Sequence, residues 1–149
     1  MNELIEQVES TNSLLAKASM MKEVEITEKT IVDNVAKYYG IEPDEIRSIS
    51  RKGKILIPRY VSMAFIFFSV KKNHKGLIKN ITLKETGKYF SRRDHSTVIN
   101  ALNKLSDMVY TDPIDRESVE NLIKFMQGRG LCKGISVDTI ININNSNNF

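Results

Sequence analysis

Cysteine, histidine and long apolar runs are scarce in this 149-residue chain, and each scarcity excludes a class of protein. Cys132 is the only cysteine, which rules out an internal disulfide and a cysteine-based zinc site. His74 and His95 are too few to indicate a metal centre without other ligands nearby. No run approaches the roughly 18 apolar residues of a membrane span, and the residues after Met1 lack the features of a secretory signal. The sequence therefore predicts a cytoplasmic protein with no metal, no cofactor and no membrane partner.

Motifs for catalysis and for nucleotide binding are missing as well. The chain has no Gly-x-x-x-x-Gly-Lys-[Ser/Thr] loop, which would cradle the phosphates of a nucleotide. Asp94, His95 and Ser96 include the residue types of a hydrolytic triad, but neighbours on a helix diverge by about 100° each and cannot converge on one atom. We therefore expect a protein that is not an enzyme and that binds no nucleotide.

Basic residues are concentrated in the middle of the chain. The net charge is only +4, yet residues 47–104 hold fourteen Lys and Arg against two acidic residues, and the remainder has an acidic excess. A basic middle between acidic ends is typical of a protein that binds a polyanion. A solvated basic surface would have the same composition, so charge alone does not decide between the two.

Hydrophobic spacing predicts an all-α fold. Thr27 is a candidate N-cap for a first helix, and Pro43 suits the first turn of a short second one. Pro58 is expected to open a longer helix through about Lys72, and its many large apolar side chains imply a nearly buried, central position. A polar, basic connector is expected at 73–80, before the remaining helices.

A helix-turn-helix is predicted between Thr82 and about Ser106. Thr82 and Glu85 match a capping box that starts a short helix ending near Phe90. Asp94 then caps a second helix, which has an apolar stripe at i, i+4, i+7 and i+11: Val98, Leu102, Leu105 and Val109. A polar and basic face lies opposite: Arg93, Ser96, Thr97, Asn100 and Lys104. In this motif the second helix enters the DNA major groove with its N-terminal residues, although such patterns also occur by chance.

The residues of this segment closely resemble a known family. Thr82–Phe90 followed by Arg93–Val98 is similar to the signature of the C-terminal DNA-binding domain of the bacterial replication initiator DnaA. That signature has a leucine-containing first helix, an Ile-Gly pair, a Phe and then Gly-Arg-Asp-His-Thr-Thr-Val. Thr86 replaces its Ile, Arg92 its Gly and Ser96 its first Thr. The resemblance covers roughly residues 25–105.

The resemblance implies an all-helical bundle with a helix-turn-helix of the Trp-repressor-like type. It implies sequence-specific binding to double-stranded DNA at a short AT-rich element, the DnaA box, in replication initiation or its regulation. A transcriptional regulator using the same helix-turn-helix, or an adaptor that docks a replication protein, remains as an alternative. The implied location is the bacterial cytoplasm or nucleoid, for a chain of chromosomal, phage or plasmid origin.

The resemblance also assigns the site residues. Arg51 in the basic loop would enter the minor groove, and Arg59, directly after Pro58, would contact the DNA. Residues 94–97 would contact bases or phosphates in the major groove. The complete predicted DNA-binding set is Arg51, Lys52, Lys54, Arg59, Tyr60, Arg92, Arg93, Asp94, His95, Ser96, Thr97, Asn100 and Lys104.

The chain departs from the family pattern in three places. Ile57 stands for an Arg, Tyr60 stands for a Gln, and the connector Lys71–Ile81 is longer than the family's loop. Only 24 residues precede the resemblance, so we expect a stand-alone domain without the family's ATPase module. The expected divisions are an N-terminal helical leader at 1–24, the DNA-binding domain at 25–110, a C-terminal helix at 111–130 and a poorly ordered tail at 131–149. Within that tail, Ile135–Ile143 alternates weakly and could instead pair as a strand.

Overall fold

Residues 25–144 are described by a computed structural model, in which seven helices and one β-hairpin surround a shared core. The elements are α1 (Glu28–Tyr39), α2 (Pro43–Arg47), α3 (Gly53–Ser69), β1 (Lys71–His74), β2 (Leu77–Asn80), α4 (Leu83–Tyr89), α5 (His95–Thr111), α6 (Pro113–Gly128) and α7 (Val137–Ile141). The predicted helical bundle with a helix-turn-helix is confirmed, and the hairpin is an addition to it. The predicted leader at 1–24 lies outside the described residues.

Side-chain caps set the helix boundaries as the sequence predicts. The Thr27 hydroxyl accepts a hydrogen bond from the Thr30 backbone N–H at 3.1 Å and starts α1. Gly40, with φ of +69°, closes the same helix in the left-handed conformation. The Thr82 hydroxyl accepts from the Glu85 N–H at 3.1 Å and starts α4. Local hydrogen bonds of this kind do not depend on tertiary packing, which is why they are readable from sequence.

Helix α3 begins at Gly53, five residues before the predicted start at Pro58. A tight turn precedes the proline, with the Ile55 N–H donating to the Lys52 carbonyl at 3.0 Å. Ile55 is buried in the core and therefore holds this extra turn against the protein. Pro58 sits inside the helix, where it removes one backbone donor.

The connector predicted at 73–80 has regular structure, because it forms most of an antiparallel β-hairpin. The pairs run from Lys71 with Asn80 to His74 with Leu77. Lys75 and Gly76 form the two-residue turn with φ of +53° and +85°, the left-handed pair that tight hairpin turns require. The strands carry no apolar alternation that would have indicated them in advance.

The core lies between α3 and the helices around it. α3 packs against α1 on one side and α5 on another, and α5 also contacts α4, α6 and α7. Phe65 of α3 and Leu102 of α5 are fully buried, as are Val35 of α1 and Leu122 of α6. The described helices include none long and apolar enough to cross a membrane.

The segment after α6 differs from the tail predicted from residue 131 onward. Within 131–144, five apolar side chains are buried: Leu131, Cys132, Ile135, Ile140 and Ile143. Ser136 caps α7, so the proposed strand at 135–143 is wrong, and the Ser106 hydroxyl donates to the Ile141 carbonyl at 2.8 Å. Burial raises the pKa of the Cys132 thiol to about 12, so it stays protonated at neutral pH. Residues 145–149 of the predicted tail lie outside the described residues.

Candidate nucleic-acid interface

Helix α4 closely approaches the residues that lead into α5 at Gly87. A Cβ atom on Gly87 would lie 2.1 Å from the Arg93 carbonyl oxygen, well inside any real contact. The added atom would meet the carbonyl oxygen and the carbonyl carbon of Arg93, and both belong to the backbone, so neither could move aside at low energetic cost. A glycine is therefore required for α4 to pack against the residues that lead into α5.

Gly87→Ala is expected to lower the free energy of unfolding by about 2–3 kcal/mol, near the upper part of the range for an overpacked interior. Urea titration followed by far-UV circular dichroism measures it. Gly128→Ala, at the end of α6, is the matched control, because nothing lies within 4 Å of the added atom. Equal stability of the two variants would contradict the close approach.

The turn between the helices holds two residues in a strained conformation. Ser91 and Arg92 both have φ of +58°, the left-handed region, which costs a non-glycine residue roughly 1–2 kcal/mol. Arg92 occupies the position where the resembling signature has glycine. An arginine at this position is strained, but it places an exposed cation just before the second helix.

Asp94 caps the second helix and fixes its first turn. Its Oδ1 accepts from both the backbone N–H and the hydroxyl of Thr97, each at 2.9 Å. These hydrogen bonds from Thr97 hold the pKa of the Asp94 carboxyl below its usual range. Asp94 and Thr97 are therefore partners of one another before any ligand arrives, although both remain exposed.

The exposed face of α5 lines a cleft opposite the basic loop. The cleft has a volume of about 580 Å³ and brings together two parts of the chain that are about 50 residues apart in sequence. Its walls include Arg51 of the loop and Tyr60 of α3, together with Thr97, Asn100 and Lys104 of α5. Seven of the predicted site residues thus line one opening, since Arg59 and Arg93 also contribute to its walls. Lys52 and Lys54 are exposed beside it in the loop and first turn of α3, and Ser96 is exposed on α5.

Arg59 differs from the prediction of a direct DNA contact, because its side chain is buried and already bonded. Its Nε donates to the Ile46 carbonyl, and its terminal nitrogens donate to the carbonyls of Ser48 and Ser50, all at 2.8 Å. A fourth bond reaches the Glu45 carbonyl at 3.3 Å. Only 4% of the residue is exposed. Burial and then the nearby charge of Arg93 lower the pKa of Arg59. Arg59 therefore clamps the loop between α2 and α3.

Arg93 belongs to the same arrangement. It is half-buried, and its guanidinium donates to the carbonyls of Phe90 and Ser48 at 2.8 Å each. The Ser48 carbonyl thus receives one bond from Arg59 and one from Arg93. Through this shared acceptor, the loop that carries Arg51 is joined to the residues that precede α5.

Ile57, at a position where the family has Arg, faces the interior. It packs against the core and lines a small cavity of about 60 Å³ together with Tyr39, Leu105 and Val109. This position therefore packs toward the core and not into the cleft. Tyr60, the other departure, does line the cleft.

A second groove contains cations that the sequence analysis did not assign to the site. It has a volume of about 850 Å³ and is lined by Lys84 and Lys88 of α4 together with Arg92, Arg93, Asp94 and His95. Lys84 and Lys88 are exposed and one helical turn apart. The signal in the sequence is their i, i+4 spacing, which places both lysines on one face of α4.

Comparison with known proteins gives the family. The family described as bacterial dnaA protein helix-turn-helix matches residues 29–105, just over half of the chain. The chain is 35% identical over 97 residues to the chromosomal replication initiator protein DnaA of Streptococcus uberis, covering 63% of this chain and 20% of that protein. For Streptococcus mutans the identity is 34% over 109 residues, covering 71% and 22%. For Thermus thermophilus it is 29% over 109 residues, covering 70% and 23%.

The matched relatives are much longer than the aligned segment, since the chain spans only about a fifth of each of these initiators. The family match contains all of α2–α4, almost all of α1 and the first part of α5, so it includes the loop, both grooves and the strained turn. This chain belongs to the bacterial DnaA helix-turn-helix family.

Proposed function

We propose that this chain binds double-stranded DNA at a short, AT-rich, DnaA-box-like element and acts in replication initiation or its regulation. The exposed N-terminal part of α5 enters the major groove, and Arg51 of the basic loop enters the adjacent minor groove. The protein binds and does not catalyse. The observation that carries the proposal is the cleft that Arg51 lines together with Asn100 and Lys104.

The side chains around the cleft have the chemistry of base recognition. The Asn100 amide can pair with adenine through one donor and one acceptor, and His95 offers a ring donor or acceptor at the exposed start of α5. A narrow, AT-rich minor groove has an enhanced negative potential, which attracts an exposed guanidinium such as that of Arg51. Lys104 adds a cation beside these groups for the phosphate backbone.

The role in replication rests on the relatives. Those named above are chromosomal replication initiators, and this chain matches the segment of them that holds the helix-turn-helix. Because the chain corresponds to about a fifth of their length, we extend to it the binding of DNA and no other activity of a complete initiator.

The proposal is tested by selecting bound sequences from random duplexes with the full chain. An AT-rich element should be enriched within a few rounds. Its affinity should then fall steeply with salt, because each neutralised phosphate contributes about −0.9 to the slope of log K against log salt. About five phosphate contacts would give a slope of about −4.5. No duplex binding at low salt, or binding with no enriched element, would overturn the proposal.

Arg92→Gly is expected to weaken DNA binding without lowering the stability of the protein. Glycine relieves the left-handed strain of about 1–2 kcal/mol but restores chain entropy of about 0.5–1 kcal/mol to the unfolded state, so stability should stay equal or rise slightly. Affinity for duplex DNA should fall, since an exposed cation beside His95 is lost. Thermal melts and gel-shift titrations measure the two effects. A variant that is clearly less stable than wild type would show that Arg92 has a structural role instead.

A further inference from the structure

The hairpin formed by β1 and β2 is strongly basic and contributes little to the core. It contains Lys71, Lys72, Lys75 and Lys79 and no acidic residue, and every one of its residues except Lys72 is exposed. Of these lysines, only Lys72 forms an ion pair within residues 25–144, with Glu28 at 3.0 Å. Core packing therefore does not explain why the chain maintains this element.

The base of the hairpin is anchored beside the helix-turn-helix. The Ile81 N–H donates to the Val70 carbonyl at 3.0 Å, and both side chains are buried. From Ile81 the chain passes directly to Thr82, the cap of α4. The hairpin thus leaves the core at the start of the first helix of the motif, the helix that crosses the DNA backbone in such domains.

One face of the hairpin turns toward the helix starts. Directly paired residues share a face, so Lys72 and Lys79 lie on the same side as His74 and Leu77. Lys72 reaches Glu28 at the start of α1, and the His74 Nε2 lies 3.9 Å from the Glu85 carboxylate in the first turn of α4. Lys71 is on the opposite face, paired with Asn80.

The cations of the second groove continue toward this face. Arg92 and His95 lie at one end, and Lys88 and Lys84 follow along α4. Lys84 is adjacent in sequence to Glu85, the residue that His74 approaches. The exposed Lys79 on the same face, and Lys75 in the turn next to His74, extend the line of positive charge beyond α4.

We propose that the hairpin is a wing that contacts the phosphate backbone of duplex DNA flanking the recognised element, on the side nearest α4. The contacts come from Lys75 and Lys79. This inference rests on the proposed function, because it assumes that α5 occupies the major groove. It adds a second, sequence-independent contact that lengthens the bound DNA and raises affinity without altering the element recognised.

The test uses the enriched element in three duplexes: one trimmed to the element, and two extended by ten base pairs on one side or the other. Wild type should bind one extended duplex more tightly than the trimmed one. Lys75→Gln with Lys79→Gln should remove that advantage and reduce the salt slope on that duplex by about 1.8, two contacts at about 0.9 each. On the trimmed duplex the two proteins should bind alike.

Lys71→Gln with Lys37→Gln is the matched control, since it removes the same charge from the opposite hairpin face and from the exposed side of α1. This control variant should still bind the extended duplex more tightly than the trimmed one, by the same factor as wild type. Equal slopes for the two double variants on every duplex would overturn the wing while leaving the proposed function intact. Absence of duplex binding by wild type would overturn both, and thermal melts check that each variant is folded.

Discussion

Arg59→Ala is expected to lower the free energy of unfolding by about 3–5 kcal/mol, because it breaks a buried network of charge-assisted hydrogen bonds. The substitution removes four hydrogen bonds to backbone carbonyls of residues 45–50. Bonds from a charged donor contribute more than neutral ones, and the carbonyls left behind are partly sheltered from water. The loop that carries Arg51 should therefore lose its fixed conformation.

Urea denaturation measures this loss, and Arg51→Ala is the matched control. Arg51 lies eight positions earlier and is exposed, so its removal should change stability by less than about 0.5 kcal/mol while weakening DNA binding. Arg59→Lys should rescue only part of the stability, because an ammonium lacks the planar set of donors. If Arg59→Ala were as stable as Arg51→Ala, the clamp would be wrong, and Arg59 would again be a candidate for direct DNA contact.

The second large effect concerns discrimination between DNA sequences. His95→Ala and Asn100→Ala are each expected to cost about 1–3 kcal/mol of preference for the enriched element over a scrambled duplex, as for a lost base contact. Both side chains are exposed on α5 at positions that face the candidate grooves. Their loss should barely change affinity for the scrambled duplex, because contacts to base edges contribute to sequence preference, whereas contacts to phosphates contribute to affinity for any duplex.

Dissociation constants for the two duplexes, measured by fluorescence anisotropy, test this division. Tyr110→Ala is the control on the same helix, exposed but about 22 Å along the axis from His95 at 1.5 Å per residue. We expect Thr97→Ala to act differently, through stability as well as binding, because Thr97 is hydrogen-bonded to the Asp94 cap. Equal losses on both duplexes for His95→Ala and Asn100→Ala would show that they contact phosphates rather than bases.

The helix-turn-helix was predictable because its signals are local. The capping box of Thr82 and Glu85 and the N-cap Asp94 each form hydrogen bonds within a single helical turn, and both are present in the structure. The hairpin was not predictable, since its turn places a lysine in the left-handed region and its strands lack apolar alternation. Similarly, α7 depends on docking against Ser106 of α5, 35 residues earlier.

The site was predictable in part. Charge and the family resemblance indicated the exposed residues that the structure places around the cleft, such as Asn100 and Lys104. They could not reveal that Arg59 is buried, because its partners are backbone carbonyls of α2 and of the loop after it rather than acidic side chains. Nor could they reveal that Ile57 points inward. An arginine in a DNA-binding sequence is expected at the surface until the backbone around it is known.

The Ser48 carbonyl, which accepts from both Arg59 and Arg93, affects which spacing between two DNA contacts this protein should accept. Because the Ser48 carbonyl accepts hydrogen bonds from both Arg59 and Arg93, the backbone of the loop that carries Arg51 is tied to the residues just before α5. One base pair inserted between the two contacts would move the minor-groove contact by about 3.4 Å along the duplex. It would also rotate that contact about the duplex axis. In the proposed complex, the tie at Ser48 opposes such a shift between Arg51 in the minor groove and α5 in the major groove. The protein should therefore recognise the spacing between these two contacts as well as the bases themselves.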